Sequence, residues 1–191
     1  MKSYWIITVL TASTLGITGT TLPALAADAD AGASAARTQT QSGQLNHKEF
    51  KFVTDAARGG MEEVQLGQLA EQKAANPAVR SFGERMVSDH TKANDELRQL
   101  ASQKGAMLPS QMSHFENYKV EHLQKLNGAD FDQAYAKDMV KDHQKDVKDF
   151  ESATKNLTDP DLRAWAQKTL SVLQQHLQLA ENLEASVKGQ K

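Results

Sequence analysis

NPAVRSFGERMVSDHTKANDELRQLASQKG, residues 76–105, is a helix written with its own start and stop. Asn76 is a strong N-cap type, and Pro77 follows at the first helical position, where its missing N–H leaves nothing unsatisfied. Gly105 closes the stretch as a C-terminal glycine. Between them Val79, Gly83, Met86, His90, Ala93, Leu97 and Leu100 recur at three- and four-residue steps, which is one face of a helix.

The same punctuation divides the rest of the chain. Residues 47–75, before Asn76, read as a first helix. Asp159-Pro160 repeats the cap-then-proline start and opens a last helix running to about Val187. A further helix precedes it, from about Ala129, just after Gly128, to Asn156. Between Gly105 and Gly128 lies a link of about 24 residues, containing Pro109 and a short helix expected near 115–126. Four helices of about 28 residues, each ~42 Å long, with two short turns and one long crossover, predict an all-α four-helix bundle. Short turns force antiparallel hairpins, and a single crossover carrying a short extra helix is the ferritin-like topology.

The remaining residues bound the setting. Residues 1–26 combine Lys2, the apolar run WIITVLTASTLGITG and Ala24-Leu25-Ala26, which reads as a signal peptide cleaved after Ala26. That run is too short for a membrane-spanning helix of ~20 apolar residues, so no span is expected in the mature chain. Residues 27–46 hold only Leu45 among apolar side chains larger than alanine and read as a disordered linker, leaving 47–188 for the bundle. There is no cysteine, which excludes disulfides, thiolate catalysis and thiolate metal ligands. The net charge of −2 becomes −3 when Lys2 is lost with the signal, with no basic excess to suggest nucleic-acid binding. Alternating ten-residue segments of an outer-membrane barrel are not found. The expected location is the periplasm.

Each helical seam is interrupted once by an ionisable residue: Glu63, His90, His143 and His176. Counted from the helix starts, these fall about 16, 13, 14 and 16 residues in, near the midpoint of every helix, so helix direction hardly alters their level. Met-Val-x-Asp-His-x-Lys occurs twice, at residues 86–92 and 139–145, and places His90 and His143 in one polar layer. Buried polar groups are costly unless bonded or ligating. Three imidazoles and a carboxylate suit one Zn, Cu or Fe ion. The plainer alternative is a hydrogen-bonded core network with Glu63 ionised against protonated histidines. Asp89 and Asp142 flank the layer; they are placed either to orient a ligating imidazole or to pair with Lys92 and Lys145. Glu62 and Glu84 read as solvated, Tyr135 and Trp165 as core, and His47, His114 and His122 as outside the layer. Gly59, Gly60 and Gly67 each cost ~1 kcal/mol inside a helix, which close approach of a neighbouring helix would explain.

FVTDAARGGMEEVQLGQLAEQKA, VRSFGERMVSDHTKAND, GADFDQAYAKDMVKDHQKDVKDFE and the late HLQLAENL resemble an exported bacterial family, domain of unknown function 4142, often labelled an outer membrane protein and treated as ferritin-like. The resemblance covers about residues 47–183 through Gly59, Gly60, Glu63, Val64, Met86–His90, Met139–His143 and His176. It implies the fold and no established activity. A di-iron centre is disfavoured, because Val87, Val140 and Leu173 stand where Glu-x-x-His would need carboxylates.

These readings predict a periplasmic bundle that binds a single transition-metal ion at Glu63, His90, His143 and His176, with Asp89 and Asp142 behind them, for metal handling or stress protection. The alternative is a metal-free envelope-stress or holdase-like protein whose polar layer is structural or senses pH. No nucleophile triad, phosphate loop or cofactor fingerprint is legible, so an enzyme is the weakest expectation.

Overall fold

The computed structural model describes residues 44–189; the expected signal peptide, 1–26, and linker residues 27–43 lie outside the described residues. Five helices follow one another: α1 (His47–Lys73), α2 (Pro77–Gln103), α3 (His114–Gln124), α4 (Gly128–Asn156) and α5 (Pro160–Val187). Asn76 caps α2 through Ala78 N, and Asp159 caps α5 through Asp161 N and Leu162 N. Asn46, read from sequence as the end of the linker, instead caps α1 in a box closed by Glu49, and Ser113 with Glu116 does the same for α3. Gly105 and Gly128 take φ of +70° and +59° at the two ends of the crossover, a conformation open to glycine at little cost.

Two antiparallel pairs, α1 with α2 and α4 with α5, pack so that α1 also meets α4 and α2 also meets α5, while α3 lies against α1 and α4. Carboxylates tie the ends. Glu49 near the start of α1 accepts from Thr158 N (3.0 Å), Thr158 Oγ1 (2.8 Å) and Asp159 N (2.8 Å) in the turn between α4 and α5. Lys104, just past α2, pairs with Asp159 at 2.6 Å and Asp161 at 2.9 Å in the same place. At the other end Asp132 near the start of α4 accepts from Ala75 N (3.2 Å) and Asn76 N (2.8 Å) in the turn between α1 and α2. Each hairpin therefore closes the turn of the other. The ties also settle direction: α4 runs against α1 and alongside α2, and the crossover climbs the length of the bundle.

The apolar core divides into two clusters. One contains Leu66, Val79, Phe82, Met86, Phe131, Tyr135, Met139 and Leu183, and the other Val53, Leu97, Phe150, Leu162, Trp165 and Leu173. On α1, α2, α4 and α5 the break between them falls across Glu63, His90, His143 and His176 respectively. The polar layer is thus sandwiched between two dry ones.

Glycine sets the distance between α1 and α2. A methyl on Gly67 would lie 2.7 Å from the Gly83 carbonyl oxygen, and one on Gly83 2.7 Å from Ala70 Cβ. A methyl on Gly60 would lie 2.0 Å from Asn94 Oδ1, whereas one on Gly59 would meet nothing within 4 Å. Close approach therefore accounts for Gly60 and Gly67 but not for Gly59.

Candidate metal centre

His90, His143 and His176 come from α2, α4 and α5 and are 7%, 0% and 1% exposed. Their ring centroids form a near-equilateral triangle, with His90 5.8 Å from His143 and 5.4 Å from His176, and 5.4 Å between His143 and His176. One nitrogen from each ring lies within 4.8 Å of one nitrogen from each of the others. Phe82 presses on the layer from the adjoining apolar cluster, 6.4 Å from both His143 and His176.

Hydrogen bonds fix two of the three tautomers. His143 Nδ1 is 2.9 Å from the Met139 carbonyl oxygen. A carbonyl only accepts, so Nδ1 carries the proton and Nε2 is left with a lone pair. His176 Nε2 is 2.9 Å from Asp89 Oδ2 and donates to that carboxylate, leaving Nδ1 with its lone pair. The nitrogens that remain buried and unpartnered are His90 Nε2, His143 Nε2 and His176 Nδ1. Burial holds His90 well below the ordinary imidazole range, with His143 and His176 adding to the effect. Burial and then His176 bring His143 down to about 4, against the pull of the Met139 carbonyl. For His176 burial lowers the value and outweighs Asp89. The free nitrogens of three imidazoles lie together, and on His143 and His176 that nitrogen carries an unused lone pair.

The other predicted residues lie around this trio. Glu63 is buried at the same level on α1, with Oε2 unpartnered, but it is not part of the group of mutually close donors. Burial raises its carboxyl well above the usual range; Asp142, Asp146 and Glu62 add to this and Lys119 opposes it. Asp89 reaches across to His176, and Asp142 pairs with Lys119 of α3 at 2.8 Å. The lysines three residues on do not take these carboxylates: Lys145 bonds Asp149 instead. Glu62, expected in solvent, is buried and sits 2.7 Å from Lys119 Nζ. Lys119 was not singled out in the sequence, since its role depends on where the crossover docks.

An all-helical bundle with a crossover, and with a buried histidine triad that can hold a metal ion, is the class that fold and site define. The chain belongs to the family described as Domain of unknown function (DUF4142), whose model matches residues 34–183. The crystal structure of a DUF305 fragment from Deinococcus radiodurans is similar, with a TM-score of 0.67 at 12% identity over 75% of this chain and 99% of that one. At that identity the likeness concerns the fold alone. No curated protein gives a significant match.

Proposed function

We propose that the protein is a periplasmic metal-binding bundle that holds one Zn, Cu or Fe ion between His90, His143 and His176, for metal handling or stress protection. The observation that carries this reading is the set of three buried imidazole nitrogens with no partner. A core network would have satisfied them by bonding the rings to one another or to Glu63. Each orphaned buried acceptor costs ~1–3 kcal/mol, and a metal ion would remove that cost at all three. Met139 O and Asp89 hold two rings in the tautomer a ligand needs, as carboxylate–histidine–metal relays do. Glu63, buried at the same level, is the carboxylate that would complete the shell; without it, water would take the fourth position and the site would be open.

The decisive experiment is elemental analysis of the mature protein, purified from the periplasm with a non-histidine tag and no chelator, beside His90→Ala/His143→Ala. Near-stoichiometric metal in wild type and none in the double variant is the expected result. Wild-type protein that is metal-free and takes up none of Zn²⁺, Cu²⁺ or Fe²⁺ would return the layer to a structural role. In the same assay Glu63→Gln distinguishes a four-residue shell from a three-histidine one.

A further inference from the structure

The geometry points to the groove between α1, α2 and the crossover as the entrance through which a hydrated divalent metal ion reaches the triad, with His90 the ligand it meets first; this rests on the metal reading of the triad given above. The groove has a volume of about 560 Å³, and Gln65, Thr91, Asn94, Asp95, Arg98 and Gln111 line it. Thr91 and Asn94 follow His90 by one and four residues on α2, and four residues is one helical turn, so Asn94 stacks on the face that carries His90. The Asn94 side chain is 7% exposed and enters none of the hydrogen bonds among the described residues. It lies between the helices only because residue 60 is glycine; a methyl there would sit 2.0 Å from its Oδ1. The amide of a largely buried side chain that lines a solvent-facing groove and has no protein partner among the described residues can replace one water of a hydrated cation.

Two of the other faces are bridged by polar contacts. Between α1 and α4, Lys119 bridges Glu62 at 2.7 Å and Asp142 at 2.8 Å, and these ion pairs close that seam. Between α2 and α5, the Asp89–His176 hydrogen bond of 2.9 Å spans the gap. Within the triad, His143 and His176 are each held by a hydrogen bond, whereas His90 makes none among the described residues and is the most exposed of the three. His90 is the ring that no hydrogen bond fixes among the described residues, and the other two are anchors.

Uptake of Zn²⁺ and its release to a chromophoric chelator, followed by stopped flow on the full mature chain, tests the route. Asn94→Leu keeps the side-chain size and removes the amide; Thr91→Trp plugs an exposed wall beside His90 and spares the core. Both should slow uptake and release together by about tenfold, leaving the equilibrium affinity within about twofold of wild type. Wild-type exchange rates in the two variants would overturn the entrance. So would weaker binding produced by faster release alone, since Asn94 would then belong to the coordination shell. A protein that never takes up Zn²⁺, Cu²⁺ or Fe²⁺ removes the site itself, a failure distinct from unaltered exchange at a working site.

Discussion

Asp89 acts on the site without belonging to the triad. Its carboxylate orients His176, and partners of this kind are worth 10–100-fold in metal affinity. Asp89→Asn should therefore bind metal about 10–100-fold more weakly in a competition titration while melting close to wild type without metal. Unchanged affinity would show that the Asp89 contact does not serve the ligand. The three histidines were legible from sequence, together with Glu63, because all four interrupt apolar seams at matching heights and seam spacing is a property of a single helix. That Glu63 stays out of the close cluster was not legible. The partners were not legible. Whether Asp89 turns to Lys92 or to His176 depends on how α5 is rotated against α2, and nothing within one helix encodes that. Glu62 was read as solvated for the same reason: α3 covers its flank of α1, and Lys119 comes from the part of the chain with the weakest periodicity.

At the scale of the helices, the glycines and the end ties make opposite predictions from similar-looking residues. Gly59→Ala adds a methyl to open space, so relief of glycine's helix penalty should raise stability by about 0.5–1 kcal/mol. Gly67→Ala forces that methyl against the Gly83 carbonyl and should lower stability by about 1–3 kcal/mol; urea melts of the two variants side by side would show the contrast. Glu49 sets an acid limit. Burial pushes its carboxyl up, but hydrogen bonds from Asp159, Thr158 and Asn46 outweigh that and leave it below its ordinary value of 4.5. Asp159, despite its own burial, is drawn down by Lys104 and by the first amides of α5. Groups depressed in the folded state contribute stability above their ordinary values and lose it as pH falls through the folded ones. The melting temperature should therefore drop as pH is lowered below about 4.5, the ordinary value for Glu49. Glu49→Gln should begin lower at neutral pH and show a shallower acid slope. The cap-and-proline starts at Asn76 and Asp159 were plain in the sequence, being local chemistry. The ties from Glu49 and Asp132 were not, because each joins residues more than fifty positions apart.

For the whole molecule, the metal reading of the triad links binding to stability. Free metal at 100 times its dissociation constant adds about 2.7 kcal/mol, enough to raise the melting temperature of a domain this size by roughly 8 °C. Chelator should remove that increment from wild type and leave His143→Ala unmoved; equal melting of wild type with and without chelator would argue against a bound ion. The crossover topology carries one more consequence. The triad draws His90 from the first hairpin and His143 and His176 from the second, and each hairpin also clasps the other's turn, so the covalent link between them is not what unites the halves. A chain cut near Pro109 should behave as a split protein. Its two fragments, co-expressed, should find each other, and their association should tighten when the ion that joins them is supplied. Fragment complementation would then report metal from outside the bundle.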